Sequence, residues 1–397
     1  MEKIVFHVDV NNAFLSWSAI EMLKNGSKID IRKIPSVVGG DEAKRRGVVV
    51  AKSTSAKKAG VVTGEALYTA RKKVNDLFIV PSDMEKYKTY SEKLYTYLCN
   101  FSPSIEKYSI DECFLDMTGT EKIFGDPVSL AYKMKDEIKK TLGFTVNIGI
   151  GNCKLCAKMA SDFEKPDKVH TLFKDEIIKK MWPLSVDELF MVGKKSAVKL
   201  HEMGIDTIEN LANTDLNILI RHFKSQGKMM HEYANGIDES TVEKQVAKNK
   251  GLSHSTTLPH DTININEIKE VLHILSNMIG TRLREEKMYT TVISLQLKNN
   301  EFFSYQHQKK LVNPVSSNED IYEASVELLK SMWQKDPIRL VGLRVSDFID
   351  KPYEQISLFE TPGVIENRDK IQKTLDEINK KYGDKTIVNA NLINKSL

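Results

Sequence analysis

At 397 residues the chain is longer than one hydrophobic core supports, so about two to four domains are expected. Its 58 Lys and Arg against 54 Asp and Glu leave a net charge of only +4, which excludes a strongly basic or acidic chain, and any nucleic-acid surface has to come from local clustering. The four cysteines, with no signal peptide before them, disfavour a disulfide framework and predict a reducing cytoplasm, and no apolar run is long enough to cross a membrane.

The N-terminal segment predicts a strand followed by a helix. Residues 3–9 alternate, which predicts two strand faces: Ile4, Phe6 and Val8 on one, and Val5, His7 and Asp9 on the other. Asn11 or Asn12 is expected to cap the helix that opens over 11–17. A basic segment, residues 28–60, follows. Its hydroxyls and lysines over 52–60 suit phosphate contact, and they equally suit a solvated helix face.

After a helix capped by Asp83, the stretch from Tyr108 to Asp116 reads Y-S-I-D-E-C-F-L-D. It predicts a buried strand that carries two adjacent carboxylates, Asp111 and Glu112. Charge in such a run is costly unless it is paired or bound to a cation. With Asp9 at the end of the first strand, these acids suggest a site for hard divalent cations, most simply Mg²⁺. Two such ions ~4 Å apart would support in-line phosphoryl transfer. The alternative is that the acids cap neighbouring helices.

The next segments complete a first α+β unit. Asp126 and Pro127 predict the start of a helix, and Gly143 predicts its end. Residues 145–150 alternate as a strand, and the helix after it ends at residues 165–167. This order predicts a βαββαβ unit that is interrupted after its first strand by the basic segment.

From about residue 175 the pattern becomes helical. Residues 191–205 are typical of a helix-hairpin-helix, in which two short helices join through a glycine turn. The backbone amides of Val192, Gly193 and Lys194 would then lie at a helix N-terminus, where they can bind a phosphate oxygen. A plain glycine-terminated helical turn is the alternative.

A polar linker over 240–252 precedes a second βαββαβ unit, which reaches residue 345. Polar side chains on its strands are expected on an outward face that suits phosphates or solvent: Ser253, Ser255, Lys298, Arg339 and Arg344. In the tail, residues 355–359 (Q-I-S-L-F) form a short apolar peptide of the kind that binds a partner's pocket. Residues 364–382 predict an amphipathic helix to which the sequence assigns no role.

Five motifs in this chain resemble those of the Y-family translesion DNA polymerases, of the bacterial polymerase IV and UmuC-like branch. They are D-V-N-N-A-F, Y-S-I-D-E-C-F-L-D, N-I-G-I-G-N-C-K-L-x-A-K-M-A-S-D-x-x-K-P, the helix-hairpin-helix and Q-I-S-L-F. Because they occur in the family's order over residues 1 to about 360, the resemblance is far more specific than any one motif.

The resemblance implies an α+β multidomain fold with the parts of a right-hand polymerase. These are a βαββαβ palm (1–13 and 83–171), small fingers (14–82), a helical thumb with the helix-hairpin-helix (172–240), a linker (241–251), an α+β little finger (252–349) and a tail with a clamp-binding peptide (350–397). The implied activity is low-fidelity, DNA-templated addition of deoxynucleotides to a primer 3′ end, past damaged template bases. No exonuclease motif is evident, so proofreading is not expected.

By the same resemblance, Asp9, Asp111 and Glu112 are catalytic and bind two Mg²⁺ ions, or Mn²⁺, together with the Val10 carbonyl. Adjacent strand residues point to opposite faces, so Asp111 and Glu112 can share a site only where the strand twists or turns, as at a hairpin tip. The nucleotide is expected to contact Asn11, Asn12, Ala13, Phe14, Thr54, Lys57 and Lys165.

Three of these positions need comment. Thr54 and Lys57 lie where the family commonly has a tyrosine and an arginine on the β- and γ-phosphates. Lys57 keeps the charge but loses the bidentate fork, and Thr54 has a shorter reach, so weaker nucleotide binding is expected. Phe14 takes the place of the family's steric gate against a ribose 2′-hydroxyl, although it also fits the apolar stripe of its helix. Ala13 stands where another aromatic is common.

The implied partners are primer-template DNA, deoxynucleoside triphosphates and the replicative sliding clamp; no membrane is involved, and the chain is expected to act as a monomer. The clamp would take the peptide Gln355, Ile356, Ser357, Leu358 and Phe359. Two other functions use part of the same features. A metal-dependent nuclease would not need Phe14, the triphosphate-contacting lysines or the clamp peptide, and a non-catalytic DNA-binding accessory protein would not need the acids.

Overall fold

The computed structural model of the chain describes residues 2–42, 45, 47–243, 249–353, 364–383 and 386–387. The chain divides into two compact units, one of residues 1–40 and 47–246 and the other of residues 41–46 and 247–397. Among the described residues, no helix is both long and apolar enough to cross a membrane.

The first unit contains a five-stranded sheet, in the order β5-β6-β1-β7-β8, and a three-stranded sheet, in the order β3-β2-β4. Its elements in chain order are β1 (Val5–Val10), α1 (Ala13–Lys24), β2 (Ser36–Gly39), β3 (Val49–Lys52), α2 (Thr54–Lys58), α3 (Leu67–Lys73), β4 (Phe78–Pro81), α4 (Met84–Leu98), β5 (Ile105–Lys107), β6 (Glu112–Asp116), α5 (Glu121–Phe124), α6 (Pro127–Leu142), β7 (Val146–Gly151), α7 (Lys154–Asp162), β8 (Val169–Leu172), α8 (Ile177–Lys180), α9 (Lys194–Glu202), α10 (Ile208–Asn213), α11 (Leu216–Phe223) and α12 (Ser225–Ala234).

Local capping signals place several helix ends of the first unit. Asp83 accepts a hydrogen bond from the Lys86 N–H, Asp126 accepts one from the Ser129 N–H, and Gly143 ends α6 with φ of 82°. The cap of α1 differs from the expectation. Asn12 is its N-cap residue, but it has left-handed backbone angles and its side chain makes no capping hydrogen bond.

Strand β1 lies in the middle of the five-stranded sheet and is buried on both faces. One face carries Phe6, Val8 and Val10, which join the core formed with α1, α4 and α6. On the other face, Val5 packs against Ala157 of α7. The predicted alternation is therefore confirmed, and it leaves Asp9 on the face that α7 covers.

Two glycines allow α7 to lie directly on β7. A Cβ built on Gly149 would be 2.0 Å from the Ala157 carbonyl oxygen, and one on Gly151 would be 2.5 Å from the Cys156 Cβ. Only residues without a side chain permit so close an approach of helix and strand. Since α7 is held there, the side chains of its next turn extend over the end of β1 that carries Asp9.

The three-stranded sheet has a small core of its own, made by Val37, Val49, Ala56, Val61, Leu67, Ala70 and Leu77. Helix α1 is not part of it, because Leu15, Trp17 and Ile20 are buried in the core of the five-stranded sheet. Residue 14, the predicted start of the fingers, lies inside α1, and the domain boundaries stay predictions. The helical segment that follows β8 packs around Met181, Leu200 and Leu211, together with Leu155 and Met159 of α7.

The second unit confirms the predicted βαββαβ order. Its elements are β9 (Gly251–Thr262), α13 (Ile265–Glu285), β10 (Tyr289–Asn299), β11 (Ser304–Val315), α14 (Asn318–Met332), β12 (Ile338–Ile349) and α15 (Val364–Tyr382), and the sheet order is β11-β10-β12-β9. Apolar residues of α13 and α14 share a core with Ile293, Leu295 and Leu297 of β10.

The sheet face opposite those helices is polar. Arg344 pairs across the strands with Ser253 on one side and Ser294 on the other, and the row continues to Gln308. Directly opposed residues of antiparallel strands share a face, so hydroxyl, amide and guanidinium groups alternate there. Arg339 is engaged elsewhere, since its guanidinium lies 4.7 Å from the ring centre of Phe302 and 3.8 Å from Asp261.

Helix α15 matches the predicted amphipathic segment and belongs to the second unit. The Arg284 side chain, only 4% exposed, donates two hydrogen bonds to the Asp376 carboxylate, at 2.5 and 2.9 Å. It also donates one to the Ser316 carbonyl at 2.6 Å. A bidentate pair to a buried guanidinium is directional, so it defines how α15 lies against the end of α13.

Candidate active site

Asp9 and Glu112 meet on adjacent strands. They are direct cross-strand partners of β1 and β6, and Asp9 also pairs with Asn147 of β7. The three side chains therefore share the face that α7 covers. Asp9 is only 6% exposed. The two acids thus lie together, and their role as metal ligands stays a prediction.

Asp111 lies in a turn and not in a strand. Strand β6 begins at Glu112, and the N–H groups of Tyr108 and Ser109 both donate to the Glu112 carbonyl. The prediction of a strand over 108–116 is wrong for its first four residues, which form the tip of a hairpin with β5. The Asp111 carboxylate accepts a hydrogen bond from Ser109 Oγ at 2.6 Å, and its carbonyl accepts one from the Val10 N–H at 3.1 Å.

A buried lysine of α7 joins the two acids. Lys158 Nζ lies 3.0 Å from Glu112 Oε1, 3.9 Å from Asp9 Oδ2 and 3.3 Å from Asp162 Oδ2. Lys158 lies within one of the five sequence motifs but was not predicted to have a role. The available signal was a lysine among the apolar residues of an otherwise buried helix.

Lys165, predicted to bind the nucleotide, makes an ion pair with Asp9 and a second one with Asp162 at 2.7 Å. Its side chain is 37% exposed. The loop that carries it is tied to the sheet by Asn147, which donates to the carbonyls of Ser161 and Glu164 at 2.9 and 2.7 Å. Asn147 was assigned no role from the sequence, and the available signal was its polar side chain in the otherwise apolar strand β7.

Asn11 supports the same loop. Its side chain donates to Asn147 Oδ1 at 3.0 Å and accepts from the Asp167 N–H at 2.9 Å. Its main-chain N–H donates to the Thr145 carbonyl, and its carbonyl accepts from Ser16 Oγ. These contacts place Asn11 next to the expected nucleotide site with its polar groups already bonded to protein.

The ionisable groups of the site perturb one another. Burial raises the pKa of Asp9, although Lys165 and Lys158 oppose the change. Burial alone would also raise the pKa of Glu112, but His7 and the Lys158 ammonium outweigh it and hold that pKa at about 2. Burial lowers the pKa of His7, whose Nε2 lies 3.6 Å from Glu112, beyond hydrogen-bond distance. Glu112 is thus an anion at neutral pH beside a lysine cation.

The donor chemistry suits a hard cation, but the carboxylates are not assembled as a cage. Within the described ranges, no group of three or more His, Cys, Asp or Glu residues is arranged to hold a metal ion. Asp9 and Glu112 face lysine ammonium groups, and Asp111 faces Ser109. Oxygen ligands from three carboxylates and a carbonyl fit Mg²⁺ or Mn²⁺, provided that the ammonium groups yield and the Asp111 side chain turns.

Phe14 lies half-buried at the first turn of α1 and is part of an aromatic cluster. Its ring stacks on Tyr87 with centroids 4.6 Å apart, and Trp17 lies 6.0 Å away. Both sequence interpretations therefore remain compatible with the structure, because one side of the ring packs on the core and the residue keeps partial exposure.

Thr54 and Lys57 lie on the short helix α2, both exposed. The N-cap of this helix is Ser53, whose Oγ accepts from the Ala56 N–H at 3.1 Å. The spacing of three residues puts Thr54 and Lys57 on the same side of α2, where both side chains are open to a ligand.

The helix-hairpin-helix segment has one regular helix where two were expected. The turn before the glycine is a 3₁₀ turn, Val186–Glu188, and α9 begins at Lys194 with Gly193 as its N-cap residue. Gly193 has no side chain to cap the helix, so the first amides of α9 depend on other partners. The clamp-peptide prediction, residues 355–359, lies outside the described residues.

A histidine connects the two parts of this hairpin. His201 Nε2 lies 2.6 Å from Asp187 and His201 Nδ1 lies 2.7 Å from Asp206. Both nitrogens can bond to carboxylates only when both carry protons, so the ring is an imidazolium in this arrangement. The carboxylates of Asp206 and Asp187 accordingly raise the pKa of His201 above 6.5.

Replacing His201 with glutamine is expected to lower the melting temperature most strongly in mildly acidic solution. Because the folded-state pKa lies above the ordinary value of 6.5, the stabilisation is complete below pH 6.5 and is lost as the pH rises through the folded-state pKa. Melting curves of wild type and variant at several pH values measure it. His222→Gln, an exposed histidine of α11, is the control. A pH-independent difference would contradict the prediction.

Comparisons with known proteins identify the family of the chain. The sequence profile of the impB/mucB/samB family matches residues 8–162, and that of the impB/mucB/samB family C-terminal domain matches residues 249–358. A DNA polymerase IV of Clostridium acetobutylicum is 49% identical over 395 residues, covering 100% of this chain and 99% of the relative. A DNA polymerase IV of Clostridium kluyveri is 36% identical over 405 residues, covering 100% of both chains.

The fold is similar to that of a solved Y-family DNA polymerase chimera. The two agree with a TM-score of 0.77 at 23% sequence identity, over 88% of this chain and 100% of the chimera. At that identity the likeness concerns the fold, and it extends to the palm, fingers, thumb and little finger architecture.

Proposed function

Since the chain belongs to the Y-family translesion DNA polymerases and is a DNA-directed DNA polymerase, we propose that it extends primer 3′ ends by two-metal phosphoryl transfer at Asp9, Asp111 and Glu112. The observation that carries the proposal is the buried cross-strand pair of Asp9 and Glu112 beneath Lys158 and Lys165. A buried carboxylate pair with neighbouring cations is costly for folding alone, and a phosphoryl-transfer site requires it.

Asp9, Asp111, Glu112 and the Val10 carbonyl would hold two Mg²⁺ ions, with Mn²⁺ as the alternative. When bound, such ions lower the pKa of a primer 3′-hydroxyl and neutralise charge on a triphosphate and on the leaving pyrophosphate. The tip of the β5–β6 hairpin supports this assignment, since a turn is what allows Asp111 to join Glu112.

Lys165 would exchange its contact with Asp9 for one with the triphosphate. Its partial exposure and its place at the end of a loop favour such a movement, and Asn147 and Asn11 keep the loop itself in place. The N-terminus of α1 offers further donors to the phosphates from Asn12 and Ala13, because the first amides of a helix lack intrahelical partners. Asn11 would serve as a support of this pocket.

Phe14 would exclude ribonucleotides. The stacking of its ring on Tyr87 holds it in one orientation, and a rigid ring rejects a 2′-hydroxyl better than a mobile one. Thr54 and Lys57 would contact the β- and γ-phosphates from α2, more weakly than a tyrosine and an arginine at the same places.

Lys57→Arg is therefore expected to lower the nucleotide KM about threefold to tenfold, because arginine can bond two phosphate oxygens at once. Single-nucleotide insertion on a primed template measures KM and kcat. The matched control is Lys58→Arg, the next residue of α2, which is also exposed. If both variants changed KM equally, the effect would be one of general charge, and Lys57 would lose its proposed role.

DNA would be held through its backbone at two places. The amides of Gly193 and Lys194 at the start of α9 suit one phosphate, whereas the Val192 N–H, predicted to join them, already donates to the Leu189 carbonyl at 3.0 Å. The polar sheet face that carries Ser253 and Arg344 suits other phosphates. Such contacts weaken as salt is added, and they do not depend on base sequence. Independence of base sequence suits an enzyme that copies damaged templates.

The peptide 355–359 would bind the sliding clamp and keep the enzyme near the primer end by raising its effective concentration. In this proposal the chain works in the cytoplasm as a monomer and does not proofread. The supporting observation is the sequence Q-I-S-L-F itself, with its glutamine and its paired apolar residues.

Primer extension tests the proposal. The protein is incubated with a labelled primer-template, four deoxynucleotides and Mg²⁺ or Mn²⁺. Short, distributive growth of the primer is expected. Shortening of the primer would instead indicate a nuclease, and no change with either ion would leave the accessory protein as the better description.

A further inference from the structure

The ammonium group of Lys158 lies among carboxylates whose negative charges need a cation beside them. It lies within 4 Å of three carboxylates, at 3.0 Å from Glu112, 3.3 Å from Asp162 and 3.9 Å from Asp9, and the residue is only 8% exposed. Lysine is rarely buried to this extent unless it is paired. Here it is paired with three carboxylates, which is the surrounding that a buried ammonium requires.

We propose that Lys158 is a resident counter-cation, which keeps Asp9 and Glu112 together when no divalent ion is bound and weakens the binding of such an ion by competing for Glu112. The proposal rests on the proposed function, because it takes Asp9 and Glu112 as metal ligands. Lys158 is then a positioning residue.

The need for such a cation follows from the strands. Asp9 and Glu112 are direct cross-strand partners on a face that α7 covers, so their charges repel at short range in a poorly solvated place. An ammonium between them offsets the repulsion and lets the palm fold without metal. A divalent ion offers the same compensation with twice the charge.

Lys158 and Lys165 differ in how freely their ammonium groups can move away from the carboxylates. Lys165 extends from a loop and is 37% exposed, so it can move to a phosphate. Lys158 belongs to α7, whose main chain is pressed onto Gly149 of β7. The helix cannot withdraw, so the ammonium stays near Glu112 when an ion arrives, and the ion has to displace it from that carboxylate or share it.

The test measures Mn²⁺ binding by electron paramagnetic resonance and melting temperature with and without Mn²⁺, on the full chain without DNA or nucleotide. Lys158→Met keeps the apolar stem and removes the charge, and Lys158→Gln keeps a polar end. Both are expected to bind Mn²⁺ about tenfold more tightly than wild type. Both should melt at a lower temperature without the ion and gain more degrees when it is added.

Lys154→Met is the matched control. Lys154 lies one turn earlier on α7 and pairs with Glu106 at 2.8 Å, away from the site. Its loss should lower the melting temperature by a similar amount while leaving the Mn²⁺ dissociation constant unchanged. The control thus separates the loss of a buried ion pair from the loss of competition with the metal.

Asp9→Asn distinguishes the failure of this inference from the failure of the proposed function. If Asp9→Asn abolishes Mn²⁺ binding and both Lys158 variants bind as wild type does, or more weakly, the metal site holds and the role of Lys158 is refuted. If Asp9→Asn leaves Mn²⁺ binding unchanged, the ion binds elsewhere, and the proposed metal site and the role of Lys158 are refuted together.

Discussion

Asparagine in place of Asp9 is expected to lower the rate of primer extension by at least about 10³-fold. The substitution keeps the shape of a side chain that is only 6% exposed, so the sheet should tolerate it. It removes one of the charges that would hold the ions, and it leaves Lys165 with only Asp162 of its two carboxylate partners. Single-turnover extension of a labelled primer by one nucleotide, in Mg²⁺, measures the rate.

Asp116→Asn is the control for this experiment. Asp116 lies at the far end of β6, where its carboxylate accepts a hydrogen bond from the Thr118 N–H at 3.0 Å. Its loss should leave the rate near that of wild type. Asp111→Ala should be as inactive as Asp9→Asn, because both remove a proposed ligand. Extension at the wild-type rate by either variant would mean that the chemistry takes place elsewhere.

Removing the ring of Phe14 should open the site to ribonucleotides. Phe14→Ala is expected to reduce the preference for a deoxynucleotide over the matching ribonucleotide about 100-fold, since a site that rejects a group by its shape loses that rejection when the obstacle is removed. The ratio of kcat/KM for the two nucleotides, on one primed template, measures the preference. Addition of deoxynucleotides should continue.

Phe144→Leu is the control for damage to the core. Phe144 belongs to the same aromatic cluster, with its ring centre 6.2 Å from that of Trp17. It is fully buried, so a ligand cannot reach it. This variant should lose stability through a cavity and keep its sugar preference. If Phe14→Ala retained the wild-type preference, Phe14 would be a core residue only.

The parts of the fold that were predictable depend on neighbours in the sequence. The caps at Asp83 and Asp126 and the αL glycine at 143 act within one helical turn, so the residues themselves carry the information. The alternation of residues 3–9 is also a local signal, because successive side chains of a strand point to opposite faces. The predicted βαββαβ order of the second unit was correct for the same reason.

The hairpin at 108–111 shows where local reasoning fails. Tyr108 and Ile110 make the stretch look like the start of an apolar strand, and the sequence prediction extended the strand through it. In the fold, the Glu112 carbonyl accepts the N–H groups of both Tyr108 and Ser109, which closes a turn. The pairing of β6 with β5 therefore sets where the strand begins, and apolar composition alone does not show this.

The sequence by itself determined the family of this protein, because five motifs in a fixed order carry that information, and the spacing of apolar residues predicted its terminal helix. Only the tertiary structure brought Lys158 to Glu112 across 46 residues, Lys165 to Asp9 across 156, and Asp376 to Arg284 across 92. The physical reason is that the charge of a buried carboxylate has to be balanced by whatever cation the packing places beside it. For Lys158, that packing depends on two glycines of β7 that let α7 lie against the sheet.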